Sequence, residues 1–147
     1  MADVQINFER VLLDVNVCID LIVNRSILPE TKKKLFAVFI QHHIEPFVPA
    51  SSVDTIFYTL TSSMKIDKEV AKFRLQKLLK FTKLLHSTDE SVQMAFYSGF
   101  ADFEDGLINS LAECHDMDAI LTNNIADFAN SSLPVYRPDD FVSLFRS

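Results

Sequence analysis

Short runs of aliphatic residues, separated by longer amphipathic stretches, divide this chain into alternating elements. Val11-Leu12-Leu13 and Ala119-Ile120-Leu121-Thr122 lack polar alternation, which is typical of strands buried on both faces of a sheet. Three further short runs predict additional strands at 44–48, 84–87 and 133–136, which makes roughly five strands. Pro46 falls inside one of these runs and predicts either a sheet edge or the start of a strand.

Apolar residues repeat at helical spacing between the predicted strands. One helix is predicted to begin near Val17. Six more are predicted from their apolar residues, which are, helix by helix, Leu35, Phe36, Phe39, Ile40 and His43; Val53, Ile56, Phe57, Leu60 and Met64; Val70, Phe73, Leu78 and Phe81; Val92, Ala95 and Phe96; Phe103, Leu107, Ile108, Leu111 and Ala112; and Phe141 and Phe145. Strands that alternate with helices predict an α/β domain with a parallel sheet and right-handed crossovers. The 147 residues fit one domain spanning 1–147, and the thirteen phenylalanines are spread along it as core residues would be.

Composition excludes several classes of protein. With only Gly99 and Gly106, the chain has no glycine-rich phosphate-binding loop. Cys18 and Cys114 form no CxxC motif or Cys/His cluster, so we expect free thiols and neither a disulfide nor a zinc site. No apolar run reaches the ~18 residues that a membrane span needs, and residues 1–9 lack the basic and apolar parts of a signal peptide. We therefore expect a cytoplasmic protein without a membrane segment.

The basic residues are unevenly distributed along the chain. The net charge of −6 disfavours nucleic-acid binding over the whole surface, yet seven Lys or Arg residues lie from Lys65 to Lys83, against two acidic ones. One explanation is a solvated helix face; the other is a face that contacts the phosphates of a nucleic acid. In the second case the candidate contacts are Lys68, Lys72 and Lys77.

Polar side chains recur where predicted strands end or helices begin. They lie in three segments: Asp14 with Asn16, and Asp20 one helical turn further on; Asp102-Phe103-Glu104-Asp105; and Thr122-Asn123-Asn124 with Asp127-Phe128. Because ligands bind at the carboxyl edge of open α/β sheets, Asp14 is a candidate functional residue. The alternative is structural: Asp14, Asp102 or Glu104 caps a helix or stabilises its first turn.

Carboxylates that converge without basic partners repel one another unless a cation lies among them. Their hard oxygen ligands favour Mg²⁺ or Mn²⁺ over zinc. Mg²⁺ binds one or two carboxylates together with substrate phosphates, so such a centre suits attack on a phosphodiester by metal-activated water. The spacing of the residues does not by itself establish that they converge.

The order and spacing of these motifs resemble those of the PIN-domain family, small metal-dependent ribonucleases that include the VapC-type toxins of toxin-antitoxin pairs. The matching segments are Leu12-Leu13-Asp14-Val15-Asn16, Asp102-Phe103-Glu104-Asp105, Ala119 to Phe128, and a closing Leu133 to Phe141 that is similar to the family's final strand and helix. The resemblance covers nearly the whole chain.

The resemblance implies a three-layer α/β/α sandwich around a central, mostly parallel sheet. It also implies an endoribonuclease whose metal ligands and catalytic residues are Asp14, Asp105 and Asp127, with Mg²⁺ or Mn²⁺ as cofactor. The supporting residues would be Asn16, Asp102, Thr122 and Asn124. The implied partners are an RNA substrate, an antitoxin protein and a second copy of the chain in a homodimer.

One position departs from the family pattern. Many members carry a Glu on the helix after the second strand, where this chain has Thr55, and in this respect it is similar to a branch that lacks the Glu. Asp54 does not replace it, because one residue turns a helical side chain by about 100°. Two hypotheses remain: a metal-dependent endoribonuclease, and a catalytically weak or inactive PIN-fold module that binds nucleic acid or protein. A receiver-type phosphotransfer domain is disfavoured because Asn123, not a lysine, follows the late strand.

Overall fold

A single parallel sheet lies at the centre of the protein. The computed structural model describes residues 7–24 and 29–145. Most of the N-terminal segment that was predicted not to be a signal peptide, and the last two residues of the predicted domain, therefore lie outside the described residues. Within the described residues the strands are β1 (Arg10–Leu13), β2 (Glu45–Pro49), β3 (Lys83–Leu85), β4 (Ala119–Leu121) and β5 (Val135–Tyr136). Their order is β3-β2-β1-β4-β5, and every neighbouring pair is parallel.

Helices cover both faces of the sheet. In the described ranges they are α1 (Val15–Val23), α2 (Pro29–Gln41), α3 (Val53–Tyr58), α4 (Lys68–Lys80), α5 (Asp89–Ala95), α6 (Phe103–Cys114) and α7 (Pro138–Ser143). Val11 and Leu13 of β1 pack with buried residues of α1, α2, α3, α4 and α7, whereas Leu12 packs on the opposite face with α6. The three-layer α/β/α sandwich is thus confirmed. None of these helices has the length and apolar character needed to cross a membrane.

β2 lies inside the sheet, between β1 and β3, so the sheet-edge interpretation of Pro46 is wrong and the strand-start interpretation is right. Pro46 is the second residue of β2, opposite Val11, and the pairing of β2 with β3 begins only at Phe47. Proline lacks a backbone N–H, and it is accommodated here before the second ladder starts. The outer strand on this side is β3.

Two predicted helical stripes extend beyond the helices that form. α2 ends at Gln41, and His43 is exposed with a φ of 54°. The prediction that His43 continues the apolar stripe of this helix is therefore wrong. The predicted stripe from Val53 to Met64 crosses from α3 into a π-helical turn over Thr59–Ser63. Hydrophobic spacing located these helices, but it did not locate their ends.

The phenylalanines divide between core and surface, contrary to the expectation that they fill the core. Phe128 and Phe141 are buried, whereas Phe73, Phe81 and Phe96 are each at least 60% exposed. Both cysteines are free thiols, as expected. The exposed rings therefore call for an explanation other than core packing.

The direction of the chain through the sheet changes between β1 and β4. From β1 the chain continues outward to β2 and β3, and it then returns to β4 and β5 on the other side. In open α/β folds, the carboxyl ends of the strands at such a switch point form a crevice that binds ligands. Asp14 and Thr122 each follow directly after one of these two strands.

Candidate acidic centre at the carboxyl edge of the sheet

Asp14 joins β1, α1 and the end of β4. Its backbone N–H donates to the carbonyl of Leu121 at 2.9 Å, and its side chain caps α1, with Oδ1 accepting from the backbone N–H of Val15 at 2.8 Å. Oδ2 accepts from the hydroxyl of Thr122, also at 2.8 Å. The residue is only 5% exposed. Asp14 is therefore a helix cap, and it also lies in the crevice at the switch point.

Burial raises the pKa of Asp14 above its ordinary value, because the charged form loses water. Hydrogen bonds from Thr122 and Val15 oppose this effect, and so does one involving Asn16. The negative charge of Asp127 raises the pKa further, which shows that Asp127 lies within electrostatic range of Asp14.

The turn after β4 is held against α1 by side-chain hydrogen bonds. Thr122 Oγ1 accepts from the backbone N–H of Asn124 at 3.1 Å, and Asn16 Oδ1 accepts from the backbone N–H of Asn123 at 3.2 Å. The predicted supporting residues Asn16, Thr122 and Asn124 thus lie in one network. Asn124 itself is exposed, while Thr122 is fully buried.

The first turn of α6 brings further carboxylates to the crevice. Asp102 is the N-cap, and its Oδ1 accepts from the backbone N–H of Asp105 at 3.0 Å. Burial raises the pKa of Asp105 to about 6, and the charges of Asp102, Asp14, Asp127 and Glu104 add to the rise. The pKa of Glu104 is also raised, by burial first and then by Asp102 and Asp14. The three predicted ligands, Asp14, Asp105 and Asp127, therefore act on one another electrostatically.

The chemistry of these groups fits a hard divalent cation. The acidic side chains offer oxygen donors, and the charges that shift the pKa of Asp105 are all negative. Within residues 7–24 and 29–145, however, no three His, Cys, Asp or Glu side chains form a group ready to hold an ion. Mg²⁺ needs only one or two carboxylates besides water and phosphate oxygens. Asp14 and Asp105 fit that smaller set, with Asp127 nearby.

The predicted phosphate-contacting lysines are not part of this centre. Lys68, Lys72 and Lys77 are exposed on α4, and Lys72 pairs with Glu69 across one helical turn at 3.6 Å. α4 leads into the start of β3, so Lys77, near the end of the helix, lies towards the amino edge of the sheet. Asp54 and Thr55 are likewise exposed, on α3.

The structure also connects Glu104, Asp20 and Asn123 to the centre, which belong to the three sequence motifs but were not predicted site residues, and Arg137, which lies outside those motifs. Glu104 contributes charge, and Asp20, fully buried, accepts a hydrogen bond from the side-chain amide of Asn123. Arg137 Nη1 donates to the carbonyl of Asn123 at 3.0 Å. Asp20 is four residues after Asn16, on the same face of α1, and this spacing is why the first sequence motif included it. Nothing in the local sequence around Arg137 connects it with Asn123.

Comparison with known families gives a match over most of the chain. The family model described as the PIN domain matches residues 10–126, which include β1, α6 and β4. Asp14 and Asp105 therefore lie inside the matched region, while Asp127 and Arg137 follow it. No curated protein sequence matches the chain significantly.

Two solved structures have a similar fold. VapBC2 from Rickettsia felis, crystallised with a DNA fragment from their promoter, has a TM-score of 0.72 at 16% identity, with 86% of this chain and 96% of that chain covered. PAE2754 from Pyrobaculum aerophilum has a TM-score of 0.65, also at 16% identity, with 92% of this chain and 88% of that chain covered. At such low identity the similarity concerns the fold alone.

Proposed function

Because the chain belongs to the PIN-domain family, we propose that it is a metal-dependent endoribonuclease that hydrolyses RNA phosphodiesters in the cytoplasm. The observation that carries the proposal is the convergence of acidic side chains at the switch point: Asp14 is buried there between the ends of β1 and β4, held by Thr122, and its charge acts on Asp105 together with those of three further acidic side chains. Concentrating negative charge in this way is unfavourable by itself, and a divalent cation offsets it.

The protein's own side chains have separate tasks in this proposal. Asp14, fixed by Thr122 and the backbone of Val15, presents a carboxylate from a buried position. Asp105 approaches from α6, and Asp127 adds a third carboxylate from the segment after β4. Mg²⁺ or Mn²⁺ bound there would activate water and balance the charge that develops on the phosphate oxygens.

The test replaces one carboxylate at a time without changing its shape. We expect Asp14→Asn and Asp105→Asn each to lower Mn²⁺-dependent cleavage of single-stranded RNA by more than about 100-fold, since changes even in residues around metal ligands cost 10 to 100-fold. The control is Asp116→Asn, the same substitution at an exposed residue just before β4, on the opposite edge of the sheet. Asn tolerates the φ of 58° found at that position.

A calorimetric titration with Mn²⁺ separates the enzyme from the alternative binding module. The proposal requires that the unsubstituted protein bind Mn²⁺ and that Asp105→Asn bind it more weakly. Absence of binding at millimolar Mn²⁺ would favour the PIN-fold module without catalysis, the hypothesis raised by Thr55. Unchanged cleavage in either Asn variant, with circular dichroism showing an intact fold, would refute the assigned site.

We also propose that the chain is the toxin of a toxin-antitoxin pair, with the antitoxin docking on a groove between α1, α2 and α4. The groove has a volume of about 1170 Å³, and its apolar lining includes Phe36, Ile40, Phe73 and Phe81. Ile40, Phe73 and Phe81 are 60–71% exposed. Exposed apolar surface of this kind is typical of protein interfaces.

The charge of the groove indicates what kind of segment it accepts. Lys32, Lys33, Arg74 and Lys77 also line it. The pKa of Lys32 is lowered, by burial first and then by the charge of Lys77, so these ammonium groups repel each other. An amphipathic segment with acidic residues beside apolar ones complements this surface. Because Ile44 and Pro46 at the start of β2 also line the groove, it faces the amino edge, away from Asp14.

The partner proposal is tested with the product of the neighbouring open reading frame, coexpressed with this chain. We expect a complex that copurifies and that Lys77→Glu weakens at least tenfold, since like charges across an interface cost several kcal/mol. Lys80→Glu, on the same helix but outside the groove, is the control. If no complex forms, the antitoxin proposal fails. If both variants bind equally well, the partner does not use this groove.

A further inference from the structure

Arg137 lies at the same edge of the sheet as the acidic centre. It follows β5 directly, and β5 pairs with β4 through Leu121 and Tyr136. The backbone N–H of Thr122 donates to the carbonyl of Tyr136 at 2.9 Å. Thr122 also donates to Asp14, so only a short chain of hydrogen bonds separates the backbone next to Arg137 from the buried carboxylate.

The guanidinium of Arg137 is attached to the turn after β4. Its Nη1 donates to the carbonyl of Asn123 at 3.0 Å. Asn123 is itself held from two sides, because its backbone N–H donates to Asn16 and its side-chain amide donates to Asp20. The arginine is therefore anchored to the same polar face of α1 that carries the centre.

These contacts occupy little of the hydrogen-bonding capacity of Arg137. A guanidinium has five N–H donors, and among residues 7–24 and 29–145 its contacts besides Asn123 are limited to Nε, which lies 3.8 Å from Asp139 Oδ1. Both of these side chains are about half exposed or more, at 49% and 65%, so the ion pair is weak. Arg137 thus presents a positive charge and several donors to solvent beside an acidic crevice.

We propose that Arg137 binds a phosphate of the RNA strand that flanks the scissile position, on the β4–β5 side of the acidic centre. The proposal rests on the proposed function, because it assumes that RNA reaches this centre. A polyanion approaching Asp14, Asp105 and Asp127 is repelled everywhere except where a cation lies, so a second positive group is needed to hold the neighbouring phosphate. The planar guanidinium fork matches phosphate oxygens, and the Asn123 carbonyl sets its position.

This assignment differs from the one that the lysine-rich segment predicts. Lys77 lies at the end of α4 that leads into β3, and β3 and β5 are the two opposite outer strands of the sheet. An RNA strand that follows the carboxyl edge past Asp14 meets Arg137 without passing the C-terminal end of α4. The density of basic residues along the sequence is therefore a poor guide to this contact.

The test measures binding of a labelled single-stranded RNA oligonucleotide by fluorescence anisotropy, with Ca²⁺ in place of Mn²⁺ so that a cation is present at the acidic centre while cleavage is suppressed. We expect Arg137→Gln to weaken binding about tenfold, the loss typical of one hydrogen-bonded charge contact. The slope of log affinity against log salt should become shallower by about 0.7, the value for one phosphate contact on a single strand. Arg137→Lys should keep the slope and recover part of the affinity, because it keeps the charge but not the fork.

The matched control is Lys80→Gln, which removes one positive charge at the end of α4 beside β3. It should leave both affinity and slope unchanged, and Arg137→Gln should leave Mn²⁺ binding unchanged. If the unsubstituted protein binds and cleaves RNA and Arg137→Gln does so equally well, the inference is wrong while the proposed function stands. Equal losses in the Arg137 and Lys80 variants would also overturn it. A protein that neither binds nor cleaves RNA refutes both.

Discussion

Asp14 is a buried carboxylate whose two oxygens accept hydrogen bonds from different elements. Oδ1 caps α1 through Val15, and Oδ2 accepts from Thr122 beyond β4. Each carboxylate oxygen has a further lone pair, so these bonds do not prevent metal binding. One side chain can therefore both cap α1 and act as the proposed metal ligand. The two interpretations of Asp14 that the sequence left open, helix cap and functional residue, do not exclude each other.

Asp105 gives a prediction about stability and pH. Its pKa is raised from 3.8 to about 6, so between these values the folded protein holds a proton that the unfolded chain releases. The free energy of unfolding therefore falls as pH rises through this window. In metal-free protein, we expect Asp105→Asn to raise the melting temperature at pH 7.5 by about 3 °C, since solvent screening limits the gain to about 1 kcal/mol.

Thermal unfolding in a chelator at pH 4 and pH 7.5 checks this expectation. The difference between Asp105→Asn and the parent should be small at pH 4, where the folded parent is largely protonated at this residue. Excess Mn²⁺ should stabilise the parent more than the variant, because binding to the native state adds stability. A variant that is less stable than the metal-free parent at pH 7.5 would contradict the electrostatic account of the centre.

At the level of elements, the first turn of α6 combines a cap with an accumulation of charge. Asp102 accepts from the backbone N–H of Asp105 and at the same time raises the pKa of that side chain. The helix dipole favours carboxylates at this end, but burial and mutual repulsion outweigh it at Asp105. The sequence left open whether Asp102 caps the helix or supports the metal. The structure establishes the cap, while support for the metal remains a prediction.

Two substitutions of Asp102 separate these roles. Asp102→Ala should lower the free energy of unfolding by about 1 kcal/mol, the usual cost of losing an N-cap. Asp102→Asn should retain at least the stability of the parent, because Asn caps equally well, and it should lower the pKa of Asp105 by removing a neighbouring charge. Chemical denaturation and NMR titration of the Asp105 carboxyl measure the two effects. Weaker Mn²⁺ binding in Asp102→Asn would assign this residue a direct role at the metal.

At the level of the whole molecule, the two charged surfaces lie at opposite edges of the sheet. The acidic centre follows the carboxyl ends of β1 and β4, and the basic apolar groove lies by the start of β2. The net charge of −6 describes neither surface. Hydrolysis and partner docking, as proposed, therefore use separate regions, and substitutions in one should leave the other intact.

The sequence by itself determined the elements and their class. Uninterrupted aliphatic runs identified β1 and β4, helical spacing located α2, α4 and α6, and their alternation required a parallel sheet. The motifs around Asp14, Asp105 and Asp127 were sufficient to identify the family. These features are local, so each is visible within a few residues of the chain.

Only the tertiary structure decided which residues meet. The bond between Thr122 and Asp14 joins positions 108 residues apart, and the clamp of Asn123 by Asn16, Asp20 and Arg137 spans three separate segments. The tertiary structure also placed Pro46 inside the sheet and Lys77 in the groove between α1, α2 and α4. Periodicity assigns a residue to a face of its own element, but contacts between elements depend on the order of the strands in the sheet, which local sequence patterns do not encode.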